Sequence, residues 1–303
     1  MDEGSNGRVL IAGASGFLGR ALCDVPFQGL VRTAAARDPR PPFLGSDCVR
    51  MDVTDAESVV RAVSQVRPDW IINAAAEAGV DRCERSPDLA HRVNVCGTRN
   101  LIRACEDAGV GLVTVSTNYV FDGLAGPYAE TDPVNPVNVY GRTKLESEEV
   151  VLASSCQGVV VRTAVLYGYR AGCRPNFVTW ALESLLRGET VRIVTDEWAN
   201  PTCVDELAVF LLGLCRGKFR GVIHFAGPEI MTRFEMVERI CRCFDLDTDL
   251  VVPVTSRELG QIAPRPPGAG LKLDLARELF DPQLRSFSEN LKRTGTEMGV
   301  AAG

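Results

Sequence analysis

The sequence predicts an α/β fold: a doubly wound parallel sheet covered by helices, with a small α/β lobe toward the C-terminus. Three observations carry that expectation. Short apolar runs alternate with helically spaced segments through the first 170 or so residues. Those runs are apolar continuously rather than at every second position, the mark of strands buried on both faces. The first run leads straight into three spaced glycines, which suit a turn from strand into helix.

The elements follow in order. RVLIAG is the first strand, and ASGFLGRAL after it places Gly13, Gly16 and Gly19 at the start of a helix. One glycine permits the tight turn, a second lets a pyrophosphate approach the backbone, and a third lets helix pack on strand. That is the Rossmann-type dinucleotide turn. GLVRT is a second strand, and ESVVRAVSQVRPD a helix that stops at a proline. WIINAAA and GLVTVSTNYVF are buried strands on either side of one long helix, HRVNVCGTRNLIRACEDAG. A helix from about Gly141 and the strand GVVVRTAVLYG complete the alternation. Beyond it come helix NFVTWALESLLRG, strand TVRIVTD, helix CVDELAVFLLGLCRG, strand GVIHFAG and helix RFEMVERICRCF, then a rigid loop, APRPPGAGL. The expected division is a nucleotide-binding domain over 1–167, with 190–226 returning to it. Residues 168–189 and 227–303 then form a substrate-binding lobe.

Composition narrows the function. The 303 residues are 46% hydrophobic and 24% charged, with a net charge of -6, which disfavours a general nucleic-acid or membrane-surface binder. The N-terminus reads as lacking an export signal, and no apolar run approaches the roughly 20 residues of a membrane helix. Eleven scattered cysteines fit free thiols in a reducing cytoplasm. A lone C-x-C and two histidines, His91 and His224, supply no metal centre, and His224 reads as a core or strand-end residue. Proton chemistry therefore falls to tyrosine, lysine or carboxylates.

Tyr140 and Lys144 stand four positions apart, one helical turn, at the opening of the helix after STNYVF. They are either the polar face of a surface helix or a phenol held near an ammonium that favours its ionised form. The motifs INAAAEAGVDRCE, VSTNYVFDG, PYAETDPVNPVNVYGRTKLESEE, VRTAVLYG, ANPTCVDELA and APRPPGAGLKLD run almost end to end. On them the sequence resembles the extended short-chain dehydrogenase/reductases, and among these the dTDP-4-dehydrorhamnose reductase family.

The resemblance implies roles. Tyr140 is the general acid toward a carbonyl oxygen, Lys144 serves both the phenol and a nicotinamide ribose, and Thr117 holds the carbonyl with its hydroxyl. Cofactor contacts are implied at Gly13, Ser15, Gly16, Phe17, Leu18 and Gly19, at Asp52 and Val53, and at Ala74, Ala75 and Ala76. Asp52 reads equally as part of a helix N-cap sequence, and the three alanines as plain packing. Substrate contacts are implied at Val80, Thr117, Tyr119, Val165, Asn176 and Arg265. Tyr119 also reads as a core aromatic, and Arg265 as a solvated loop arginine. Two positions depart from the family: Asn118 stands for an aspartate and Val165 for a tryptophan beside the sugar, so the sugar pocket is altered. Ala78 replaces a threonine.

NADP(H) is the expected cofactor. An acid about 20 residues along selects NAD, whereas Arg32 lies nineteen residues after Gly13, followed by Thr33 and Arg37. A guanidinium there suits a 2′-phosphate; the alternative is a surface arginine. The implied partner is a dTDP-linked 4-keto-6-deoxyhexose, for dTDP-rhamnose or an antibiotic sugar such as dihydrostreptose, and the family is compatible with a homodimer. A second class stays open. The regulatory β subunit of methionine adenosyltransferase is similar in sequence, acts by binding a partner, and can retain the same tyrosine and lysine.

Overall fold

A computed structural model describes residues 7–38 and 48–302. The chain begins with β1 (Gly7–Ala12), α1 (Phe17–Asp24), β2 (Leu30–Ala36), β3 (Cys48–Arg50), α2 (Ala56–Val66) and β4 (Trp70–Asn73). It continues through α3 (Val80–Arg85), α4 (Pro87–His91), α5 (Gly97–Ala108), β5 (Gly111–Thr117), α6 (Val139–Ala153) and β6 (Gly158–Thr163). Local chemistry sets the boundaries. Asp55 accepts the amides of Glu57 and Ser58 to start α2, which ends where Arg67 turns left-handed before Pro68. Gly109, at φ 66°, ends α5.

The second half adds β7 (Leu166–Tyr167), α7 (Phe177–Leu186), β8 (Val191–Val194), β9 (Trp198–Ala199), β10 (Thr202–Cys203) and α8 (Val204–Leu214). After these come β11 (Gly221–His224), β12 (Met231–Thr232), α9 (Arg233–Phe244), β13 (Val251–Val254), α10 (Ser256–Leu259), α11 (Asp274–Phe280) and α12 (Phe287–Met298).

One seven-stranded sheet runs in the order β11-β6-β5-β4-β1-β2-β3. Its pairings from β3 through β5 are all parallel, so the doubly wound expectation holds. The order reverses between β1 and β4, where such sheets open a crevice at the strands' carboxyl ends.

Two compact units emerge. The first holds Met1–Thr117, Val139–Arg162 and Leu207–Ile223; the second holds Asn118–Asn138, Thr163–Glu206 and His224–Gly303. This differs from the expected split at 167. The segment 118–138 belongs to the second unit, and only 207–223 of the expected 190–226 returns to the first. The reason is pairing: β8 lies beside β13 and β9 beside β12, in small sheets of their own. Each unit has its own core. Leu10, Ile71, Leu101, Leu112 and Val160 anchor the first, and Tyr167, Leu182, Ile193, Met236 and Phe287 the second.

Three expected elements are broken. The long helix over 91–109 winds into a π turn at Arg92–Cys96 between α4 and α5. The strand expected through Phe121 ends at Thr117, and the chain tightens into a 3₁₀ turn over Asn118–Val120. The strand through Gly168 is interrupted at Val165, whose φ of 45° is unusual for a β-branched residue and turns the chain between β6 and β7. No helix among the described residues is long and apolar enough to cross a membrane. All eleven cysteines are free.

Candidate functional site

The glycine turn is built as its spacing demands. Gly13 takes φ 78°, and a Cβ there would stand 2.7 Å from the Ala75 backbone. A Cβ on Gly19 would lie 2.6 Å from the Ala14 Cα, so this glycine lets α1 close onto the turn. Gly16 is the N-cap of α1, and no side chain caps the helix. Its first-turn N–H groups are thereby left to an outside acceptor, which suits a phosphate.

A cleft of about 220 Å³ opens there, within the first unit. Gly13, Ser15, Gly16, Asp52, Val53 and Ala74–Ala76 line it. Phe17, Leu18 and Gly19, in the first turn of α1, are not among its lining residues. The Oδ1 of Asp52 accepts from both the amide and the hydroxyl of Thr54, at 2.9 and 2.8 Å, while the N-cap of α2 is Asp55. Asp52 therefore shapes the cleft wall and does not cap the helix. Val80 opens α3 and is half-buried.

Arg32 needs correcting. Its guanidinium donates to the carbonyls of Leu22 and Val25, at 2.9 and 2.7 Å, near the C-terminal end of α1. The parallel register pairs Ala12 with Ala35, so the cleft meets β2 only at its carboxyl end. There Arg37 lines the cleft.

Thr117 ends β5, and Tyr140 and Lys144 lie on the first turns of α6. Ser116 donates its hydroxyl to Glu148 of α6, which ties the strand end to the helix. Tyr140 is half-buried, whereas Lys144 is only 3% exposed. Burial pushes the Lys144 ammonium down to about 8, against an opposing pull from Glu148. A lysine so placed titrates near working pH and can follow a proton lost or gained beside it.

The second unit carries the remaining candidates. Asn118 donates its amide to the Ala269 carbonyl at 2.8 Å, and Asn138 does the same to Pro264 at 2.8 Å. An aspartate at 118 has no proton to donate, which gives the departure from the family a structural reason. The loop over 263–271 is further held by Gly268 on Gly123 and by Leu271 on Asn200, so its expected rigidity has named causes. Arg265 donates to the Ala263 carbonyl at 2.6 Å. The Tyr119 phenol is raised by burial, with Arg233, Glu197 and Arg265 as the charged groups nearby. Asn176 caps α7: its Oδ1 accepts the amides of Val178 and Thr179, while its Nδ2 donates to the Gly168 carbonyl. Val165 lends its carbonyl to the Thr202 amide and packs on the core.

Sequence reasoning missed Glu148, Arg162 and Arg233, and it favoured Arg32 over Arg37. Arg233 stacks over Phe177 at 4.8 Å, and its Nη1 is buried without a hydrogen-bond partner. The buried pairing of Glu148 with Arg162 and the stacking of Arg233 on Phe177 are visible only once the fold is known.

Comparison with known proteins agrees with the geometry. The model of the RmlD substrate binding domain matches residues 7–299. A dTDP-4-dehydrorhamnose reductase of Mycolicibacterium smegmatis is 34% identical over 289 residues, covering 94% of this chain and 84% of the relative. Methionine adenosyltransferase 2 subunit beta of Mus musculus is 32% identical over 297 residues, 95% of this chain and 86% of the relative. Among solved structures, dTDP-4-dehydrorhamnose reductase from Bacillus anthracis in complex with NADP superposes with a TM-score of 0.87 at 29% identity, over 96% of this chain and 99% of that one. By its dinucleotide turn, its Tyr140–Lys144 helix and a match along nearly its whole length, the chain belongs to the RmlD substrate binding domain family, that of the dTDP-4-dehydrorhamnose reductases.

Proposed function

We propose that the chain is an NADPH-dependent reductase of the 4-keto group of a dTDP-linked 4-keto-6-deoxyhexose. The observation that carries this reading is the joining of the β5 end to α6 by Ser116 and Glu148, with Thr117, Tyr140 and a buried Lys144 around that joint. Bound NADPH supplies the hydride. Gly13, Ser15 and Gly16, the uncapped start of α1, and Arg37 would hold it, and the uncapped glycine turn lining the cleft fits that group. The chain's own residues handle the oxygen. The Thr117 hydroxyl donates to the ketone, Tyr140 delivers the proton that makes it an alcohol, and the Lys144 charge eases the phenol toward phenolate. Tyr119, Arg233 and Arg265 offer a cationic, aromatic setting suited to a nucleoside diphosphate.

The test supplies dTDP-4-keto-6-deoxyglucose with a 3,5-epimerase and NADPH, and identifies the product by NMR. NADPH consumption with a reduced dTDP-sugar is expected. No consumption, with robust turnover of a UDP- or GDP-linked ketone, defeats the dTDP assignment. Val165 in place of an indole leaves room beside the sugar ring, so a product other than rhamnose, such as the branched dihydrostreptose of an antibiotic, belongs to the same reading. Rhamnose as sole product would show that Val165 does not redirect the chemistry. A homodimer in the cytoplasm completes it, with light scattering to read the oligomeric state.

A second reading has its own support in the 32% identity to a methionine adenosyltransferase β subunit. It makes the chain a nucleotide-binding regulatory subunit. Absence of turnover on every keto-sugar nucleotide, together with altered kinetics of a methionine adenosyltransferase on mixing, favours it.

A further inference from the structure

A charged pair lies beneath the face of α6 that carries Tyr140 and Lys144. Glu148 is 1% exposed and Arg162, on β6, is 4% exposed. The Arg162 Nε stands 3.0 and 3.1 Å from the two carboxylate oxygens of Glu148, and Nη2 stands 2.7 Å from Oε2. Ser116, the neighbour of Thr117, donates to Oε1. An ion pair in a core is a costly way to hold two elements together, and apolar side chains of similar size often do as well. Its placement suggests a use. Glu148 follows Lys144 by four residues, one turn along the same helix face. Lys144 is moreover the one buried lysine of four, since Lys218, Lys272 and Lys292 are exposed.

Other charges also pack on α6: Glu84 of α3 accepts the Val139 amide at its start, and His91 of α4 and Arg99 of α5 meet Glu146. Tyr140 lies one turn earlier on α6. From α5 and the π turn before it, Thr98 and Asn94 meet Ser147 and Thr143, and all four are neutral. From β5 come the hydroxyls of Ser116 and Thr117, and from β6 comes Arg162.

We propose that Glu148 is a positioning residue for the proton step: clamped by Arg162 and Ser116, it sets a fixed negative charge one helical turn from Lys144 and keeps that ammonium protonated where burial opposes it. The consequence for rate rests on the reductase reading; the charge on Lys144 does not. Burial and Glu148 do pull the Lys144 ammonium in opposite directions.

The test reads Lys144 directly. In protein labelled with ¹³C-lysine, four ε-methylene signals are followed by NMR against pH, without substrate. Glu148→Gln withdraws the negative charge and leaves the Arg162 cation unbalanced. Both effects move the Lys144 titration to lower pH, by about one pH unit. Arg162→Gln leaves the carboxylate unneutralised and moves the titration the other way. A merely structural pair predicts no such opposition of sign. Glu148→Asp restores part of the wild-type titration, and the alkaline limb of kcat follows the lysine in each variant. Shifts of the same sign in the two Gln variants, or no shift in either, overturn the proposal. Should single variants fail to fold, the doubly substituted Glu148→Met, Arg162→Met protein replaces the pair with apolar chains; Lys144 then titrates below its wild-type pH, and an unchanged titration is the overturning result. Opposed NMR shifts in a protein that turns over no keto-sugar nucleotide would sink the reductase reading and leave this one standing.

Discussion

Lys144 keeps its ammonium in a place that disfavours charge, and the cost has a pH signature. Its folded pKa of about 8 lies below the 10.5 of a free lysine. Between those values the unfolded chain holds a proton that the folded chain has released, so stability gains with rising pH across that window. Below about pH 8 the whole penalty remains, on the order of 3 kcal/mol. Cofactor-free wild type should therefore gain stability relative to Lys144→Met between about pH 8 and 10.5, and a parallel pair of urea-unfolding series would contradict this. Tyr140→Phe should bind NADPH normally and lose about 10²–10⁴-fold in kcat; full activity in that variant would hand the proton to another group. Arg37→Ala should lose roughly tenfold or more in NADPH affinity and little for NADH, since one charge-assisted contact is worth about 1.5–3 kcal/mol. Arg32→Ala should leave the preference intact, because the Arg32 Nη1 donates to the Leu22 and Val25 carbonyls near the end of α1. Titration by cofactor fluorescence separates the two arginines.

At the scale of elements, caps and turns do most of the placing. The α9, α10 and α12 helices each start with a reciprocal cap, Thr232 with Glu235, Thr255 with Glu258 and Ser286 with Glu289. The Thr/Ser-x-x-Glu spacing of these caps stands in the sequence. The α10 and α12 helices could have been read from that signal alone. The cap of α7 is of the same kind and bears on function, because Asn176 was an expected substrate contact. Asn176→Ala should destabilise the protein by about 1 kcal/mol while KM for the nucleotide sugar stays put; a large KM rise at unchanged melting temperature would restore the substrate role. The breaks in the expected strands at Asn118 and Val165 carry no such local signal. Both follow apolar runs that would continue as strand on pattern alone, and both are decided by partners distant in sequence, Ala269 and Thr202.

At the scale of the whole molecule the chain passes from one unit to the other five times, so neither unit is a continuous stretch. The cleft over the glycine turn lies wholly within the first. Saturating NADPH, at about 100 times its Kd, should stabilise by about 2.7 kcal/mol. Hydrogen exchange should then slow around Gly13–Leu18, Arg37 and Ala74–Glu77, while dTDP alone slows exchange around Tyr119 and Arg265. NADPH protection that spares the glycine turn would refute the placement. What the sequence by itself determined is the set of features whose cause is local: the parallel α/β alternation from apolar runs, the turn that needs glycine at 13 and 19, and the Tyr140–Lys144 pair from helical spacing. The tertiary structure alone decided which arginine reaches the cleft, which asparagine is consumed by a cap, where 118–138 and 190–206 belong, and that Glu148 meets Arg162. Those outcomes depend on register and packing between segments far apart in the chain, where residue spacing carries no information about distance.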